Sequence, residues 1–410
     1  MTAVDNAMPT RESAVSRPLA IVLSLLTIFG PISMDLYLPV LPALTAELRS
    51  VTSVAQLTIT ACLLGLALGQ VIAGPVSDRY GRRLPLLVGV IAYTVTSVLC
   101  ALSPTIETLI AARFIQGLAG AVGIVIAQAA GRDVYSGSKL LRYYGRLTVL
   151  GGLAAVVGPV IGGQLAAVTD WRGVFLFLAA VGVVILAASA LVFRETLPAE
   201  LRTTGGLSHT MHDFRRLLAD RTFVGAVLVT GFTYSAIFAY LSGATFVLQD
   251  IYGLSPQEYS FAFGLNSLGF MVFGFIAGRT SERWSEKGTM AAGLAMAVAG
   301  SLGLLATALL HLPLMAVVLS LFTMVSGVAA TSPPATSLAL KDYPDIAGTA
   351  SSLLGLARFA LGGLAAPLVG IGGAHDAVPF GVVTVACSAA AALCIGLVTG
   401  QRQVHGRAAA

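Results

Sequence analysis

Charge is scarce in this chain. Only 10% of its 410 residues are Asp, Glu, Lys or Arg, against about 25% in a soluble globular domain, which excludes an ordinary soluble fold. Cysteine is scarcer still. Cys62, Cys100, Cys387 and Cys394 fall inside apolar runs, with neither metal-ligand spacing nor an exposed loop for a disulfide to staple. They read as small buried hydrophobes, and no metal and no cofactor is expected. Nucleophile–histidine pairs, metal clusters and phosphate-cradling loops are also missing, so the sequence does not read as an enzyme. The five histidines, His209, His212, His311, His375 and His405, sit in expected loops or tails.

What the chain has is hydrophobic length. Hydrophobic residues make up 56% of it, and its mean hydropathy is +0.87. A hydrocarbon core of about 30 Å needs about 20 apolar residues at a 1.5 Å rise. Twelve such runs are expected, near 18–43, 54–76, 84–102, 107–130, 144–168 and 173–194, then 223–248, 257–279, 288–309, 313–340, 346–374 and 378–400. The fold class is therefore an all-α membrane protein with twelve transmembrane helices in two halves of six. The first run is too long for a signal-peptide core and should remain as a helix. Ser332-Pro333-Pro334 predicts a kink or unwinding in the tenth run.

Basic residues orient the set. With the N-terminus inside, 20 of the 24 Lys and Arg residues fall on cytoplasmic segments, and only Arg49 and Arg172 on opposite loops. Both termini are then cytoplasmic by the positive-inside rule. The net charge of +5 is thereby a topology signal, and no nucleic-acid partner is expected. The expected layout is a tail at 1–17, a first half at 18–194, a cytoplasmic loop at 195–222, a second half at 223–400 and a tail at 401–410. Gly74–Arg79 (GPVSDR) and Gly278–Arg283 (GRTSER) repeat at an offset of 204 residues. Parallel repeats of six helices imply a transporter with a midplane site between the halves, and the lack of a P-loop implies gradient drive.

The motifs then carry a resemblance. GPVSDRYGRR (Gly74–Arg83) resembles the loop signature between spans two and three of the major facilitator superfamily. RFIQG (Arg113–Gly117) resembles its span-four motif in drug exporters, and GPVIGG (Gly158–Gly163) its antiporter motif in span five. DWRGVF (Asp170–Phe175) resembles the segment after that motif. FAYLSGATFVLQDIYGLSPQEYSFAF (Phe238–Phe263) and AGTASSLLGLARFALG (Ala347–Gly362) are similar to the Bcr/CflA subfamily. The resemblance implies proton-driven efflux of bicyclomycin- or chloramphenicol-like drugs from the cell membrane by a monomer. The alternatives are export of an endogenous metabolite, or proton symport. Some drug exporters carry a second acid two turns before the Asp35 position, where this chain has Thr27.

Specific residues follow. Asp35 is the one acid expected deep in the membrane, where a carboxylate costs about 2.5–3.5 kcal/mol. Arg113 shares its expected depth, roughly 9–12 Å below the outer surface, so an Asp35–Arg113 pair is expected, either coupling protons or serving as a static ion pair. Gly74 is expected to admit a close backbone, and Asp78 to sit against the N-terminal end of span eleven, latching the cytoplasmic face. Arg79, Gly81, Arg82 and Arg83 join this gating loop, or mark topology. Gly158, Pro159, Gly162 and Gly163 give span five a bare, bent face for packing. The resemblance adds a seal against span eight that limits proton leak. Tyr37, Gln116, Tyr234, Phe238, Tyr240, Asn266 and Arg358 are candidates to line the cavity. Arg358, near the midplane, either orients cargo or bonds carbonyls.

Overall fold

The computed structural model describes residues 17–135, 137–202, 214–343, 346–373 and 375–399. The expected tails, and residues 203–213 of the central loop with His209 and His212, lie outside the described residues. The described chain is helical: α1 (Arg17–Thr27), α2 (Phe29–Asp35), α3 (Leu41–Glu47), α4 (Thr52–Tyr80), α5 (Arg83–Ala101), α6 (Ile106–Val134), α7 (Gly137–Val168) and α8 (Trp171–Val192). After the central loop come α9 (Arg221–Phe246), α10 (Pro256–Arg283), α11 (Glu286–Leu310), α12 (Leu314–Leu340), α13 (Ala347–Ala365) and α14 (Val378–Thr399). Among the described residues, ten helices are long and apolar enough to cross a membrane, and a bent pair counted as one span makes eleven. The fifth expected run lies in α7, where Val157–Val168 is a shorter apolar stretch.

The bent pair corrects the first expected span, which is not one helix. Pro18–Thr27 and Ile32–Glu47 meet at 46°. At the first break the Thr27 hydroxyl donates to the Ser24 carbonyl at 2.7 Å, a back-bond that competes with the helix ladder. At the second, Pro39 has no N–H to give the Asp35 carbonyl, so α2 ends at Asp35 and Leu38–Val40 tightens into a 3₁₀ turn. The tenth span shows the reverse. Pro333 and Pro334 sit inside α12, which stays helical from Leu314 to Leu340, so the expected unwinding is absent. Gly293 and Gly300 of α11 pack closely on the α12 backbone before the prolines.

Two sets of helices emerge from the packing. In the first, α4 packs on α6 and α5 lies against α6 and α8; in the second, α9 meets α13 and α14, and α12 meets α10 and α11. Two seams join them, α7 on α10 and α4 on α13. One end of the bundle carries Glu47 and the other Arg82. A single buried cluster at the Glu47 end draws on both sets, including Tyr37, Leu41 and Phe175 with Phe246, Tyr259 and Val369. The other clusters are each confined to one set, such as Leu26, Phe29, Tyr93 and Ile126 in the first and Met290, Leu294 and Ala391 in the second. The halves are fused at the Glu47 end and separate toward the Arg82 end. On α5 the exposed residues Leu84, Val88, Ile91, Val95, Leu99 and Leu102 recur at helical spacing, an apolar stripe suited to lipid.

Candidate functional site

Asp35 closes α2 at the helix break, with 5% of its surface exposed. Among the described residues, no hydrogen bond or ion pair reaches its carboxylate. Its seat is α7. A methyl group on Gly158 would lie 3.1 Å from the Asp35 Cβ, and one on Gly162 would run into the Leu36 carbonyl group. Tyr240 and Tyr259 of the second set belong to the same buried cluster as Met34, Leu36 and Tyr37, the neighbours of Asp35. Tyr240 accepts a hydrogen bond from Asn266 Nδ2 at 3.1 Å, and Tyr259 one from Thr245 at 3.0 Å. Charge on a buried, unpaired carboxylate is costly.

The expected Asp35–Arg113 pair does not form. Because α2 ends at Asp35, the Ser33 carbonyl has lost its helical donor at Tyr37, and Arg113 Nη1 takes that place at 3.0 Å. The same nitrogen donates to Gln116 Oε1 at 2.6 Å, and Nη2 lies 3.4 Å from Met34 Sδ. The guanidinium also lies over the rings of Tyr37 and Phe175, with centroids 4.5 and 5.6 Å away. Arg113 is fully buried and works as a cation at a helix C-terminal end. Gln116 and Tyr37 belong to this packing rather than to an open wall. Gln116 Nε2 donates to Ser97 at 2.7 Å, and the Tyr37 hydroxyl bonds Thr58 at 2.6 Å.

The span-five glycines serve two neighbours. Gly158 and Gly162 seat the broken first span, while Gly163 faces α10, where an added methyl would lie 2.8 Å from the Ser260 Cβ and 2.9 Å from the Pro256 carbonyl oxygen. The span-five/span-eight contact expected from the sequence is therefore present. Pro159 lies within α7, between these glycines. The remaining candidates gather on the second half. The Arg358 guanidinium lies over Tyr234 at 4.0 Å, Tyr234 adjoins Phe238 at 6.4 Å, and Phe238 adjoins Phe359 at 5.9 Å.

At the Arg82 end, two expectations need correction. Nothing lies within 4 Å of a methyl built on Gly74, and the same holds for its repeat partner Gly278. Among the described residues, Asp78 pairs with Arg82 and no bond takes it to the start of α13. The reason is the separation of the halves at this end, which takes the partner backbone away. Arg82 is 5% exposed and also bonds Ser77 at 2.7 Å and Asp133 at 3.0 Å. Glu195 accepts from the backbone N–H groups of Arg82 and Arg83 at 2.7 and 3.2 Å, capping α5. Burial works against the charged form of Glu195, but the N–H groups of Arg82, Leu197 and Arg83 and the charge of Arg202 outweigh it, so its carboxyl group sits below its ordinary value. Gly81 has φ +87°, the left-handed turn between α4 and α5 that favours glycine. Arg79 is exposed beside Tyr80, and Arg83 reaches the Ala190 carbonyl at 3.1 Å. The roles of Asp133 and Glu195 escaped the sequence reading, although GRD and RET close α6 and α8 with an acid beside the basic loop.

A second group found only in the fold lies at the Glu47 end. Gln56 Nε2 donates to the Ser242 carbonyl at 3.2 Å, Thr60 to that of Gly363 at 2.7 Å, and Gln249 Nε2 to that of Pro39 at 3.1 Å. Each bond crosses between the halves. Nearby, Trp171 Nε1 and Arg172 both bond Glu47, tying α8 to α3.

These features are those of a membrane transporter built from two packed halves. The Major Facilitator Superfamily matches residues 23–367, and the chain belongs to that family. It is a multi-pass membrane transporter and not an enzyme. YdgK of Bacillus subtilis, an uncharacterized MFS-type transporter, is 39% identical over 89% of this chain and 91% of its own length. The bicyclomycin resistance protein homolog of Haemophilus influenzae is 28% identical over 85% of this chain and 87% of its own. A crystal structure of a D-xylose–proton symporter matches with a TM-score of 0.76 over 94% of this chain and 99% of that one, at 17% identity, a likeness of fold alone.

Proposed function

We propose that this transporter exports drug-like amphiphiles in exchange for protons, by rocking two six-helix halves of a twelve-span monomer. The halves are 18–194 and 223–400, with the termini and the central loop 195–222 in the cytoplasm. On that orientation the Arg82 end is cytoplasmic, and the separated clusters there correspond to an inward-facing state with the Gly74–Arg83 latch undone. The observation that carries the reading is Asp35. It is a buried acid at a helix break, it has no partner among the described residues, and its neighbours Met34, Leu36 and Tyr37 share one buried cluster with Tyr240 and Tyr259 of the opposite half. The resistance named for the Haemophilus relative, together with the resemblance to the Bcr/CflA subfamily, supports an antibiotic-like cargo.

In this reading Asp35 carries the exchanged proton and Arg113 holds the turn that presents it. Tyr234, Phe238, Tyr240, Asn266 and Arg358 face the cargo. Gly158, Pro159, Gly162 and Gly163 keep the seams tight, and Gly74, Asp78, Arg79, Gly81, Arg82 and Arg83 gate the cytoplasmic side. The test is proton release when chloramphenicol is added to detergent-solubilised protein. Wild type releases protons and Asp35→Asn does not. Equal release from both moves the proton elsewhere and overturns the assignment.

A further inference from the structure

Two arginines lie within the helix bundle, and their surroundings differ. Arg113 spends both terminal nitrogens on the protein itself, on the Ser33 carbonyl, Gln116 and Met34, and rests on two rings, with only its Nε buried without a partner. Arg358 makes one contact, the face of Tyr234 at 4.0 Å. Its Nε is buried without a hydrogen-bond partner, and no carboxylate or carbonyl among the described residues accepts from its guanidinium. The side chain is half-buried, one helical turn before Gly362, which packs on Phe238. A guanidinium has five donors in a fixed fork that fits oxygen acceptors. A desolvated donor left without an acceptor is unfavourable, and in a membrane protein such a charge is expected to face a partner or a pathway. Beside it stand the rings of Tyr234, Phe238 and Phe359, with neighbouring centroids 6.4 and 5.9 Å apart.

We infer that Arg358 is the residue that reads the cargo. It receives an oxygen acceptor (carboxylate, nitro or carbonyl) carried on an aromatic or apolar body that lies along the three rings. The inference rests on the exporter reading above and adds a substrate class: acceptor-bearing amphiphiles, in preference to lipophilic cations. Arg113 is excluded from this role because both of its terminal nitrogens are engaged by the protein and its side chain is fully buried.

The test uses the purified full chain and ligand-dependent thermal unfolding. Chloramphenicol, with a nitroaryl group and a carbonyl, is one probe; tetraphenylphosphonium, a cation with no oxygen acceptor, is the other. In Arg358→Ala the apparent chloramphenicol affinity is expected to fall about tenfold, equal to about 1.4 kcal/mol. Arg358→Lys, which keeps the charge but not the fork, retains part of it. The tetraphenylphosphonium response of Arg358→Ala stays at or above that of wild type, and the ligand-free melting temperature is unchanged. Unchanged chloramphenicol affinity in Arg358→Ala overturns the inference, as does a wild type that chloramphenicol fails to stabilise. Equal loss of both probes with a lowered ligand-free melting temperature also overturns it, because that pattern marks a structural arginine. Proton release by wild type and Asp35→Asn is read without altering Arg358, so failure of the exporter reading is seen separately.

Discussion

Replacing Gly162 by alanine tests whether span five is the seat of the Asp35 turn. The added methyl would meet main-chain atoms of Leu36, its carbonyl carbon at 2.9 Å and its Cα at 3.2 Å, with the carbonyl oxygen nearer still. Carbon atoms pack at about 3.5–4.0 Å, so the turn must retreat by about 0.6–1 Å. Main chain cannot swing aside as a side-chain tip can. Overpacking of this kind costs about 1–3 kcal/mol, and here it displaces the residue assigned to the proton. Gly158→Ala is the milder companion, since its methyl meets the Asp35 Cβ at 3.1 Å, a few tenths of an ångström too close. In proteoliposomes, Gly162→Ala should lower thermal stability and slow proton-driven export, and Gly158→Ala should do both to a smaller degree. Wild-type melting and export by Gly162→Ala, or a Gly158→Ala variant that is the worse of the two, would refute the seating argument.

Other expectations follow from the same geometry. Arg113→Ala should destabilise the protein by about 1–3 kcal/mol, the scale for leaving buried acceptors such as the Ser33 carbonyl and Gln116 Oε1 without their donor, and Arg113→Lys should rescue little because it lacks the planar fork; melting temperatures check both. Gly74→Leu should leave the stability of the described state unchanged, since nothing lies within 4 Å of a methyl there, while slowing export in vesicles. Glu195→Gln should cost about 0.5–2 kcal/mol through loss of the α5 cap. Because the folded carboxyl group sits below its ordinary value, that contribution is complete above the unfolded value of about 4.3 and is lost as pH falls through the folded value. Unfolding from pH 8 to pH 3 should therefore show a constant gap between wild type and variant that closes only in acid.

Much of the helical architecture could be read from apolar run length, because a bilayer imposes one length and few structures. Gly74 and Gly278, paired by the sequence repeat, are alike in having nothing within 4 Å of an added methyl. Packing direction was harder to read. Asp35 and Arg113 sit at matching depth, yet a helix break decides which groups Arg113 can reach. That break was written in DLYLP, where Pro39 withholds a donor from Asp35. The Pro333-Pro334 pair does not unwind α12, which stays helical through both prolines. Gln56 and Thr60 escaped notice because their partners are main-chain carbonyls about 190 and 300 positions away, which no local spacing reveals.

Those carbonyls bear on how the transporter can drift in evolution. Gln56, Thr60 and Gln249 close the Glu47 end by donating to the main chain of Ser242, Gly363 and Pro39. An acceptor on the main chain is present whatever side chain is encoded there, so mutation can erase the donors but not the acceptors. The bonds are also neutral, and water can replace each of them at a net difference of about 0.5–1.5 kcal/mol. Parting the halves at that end would then be an exchange of like for like, water for a main-chain partner.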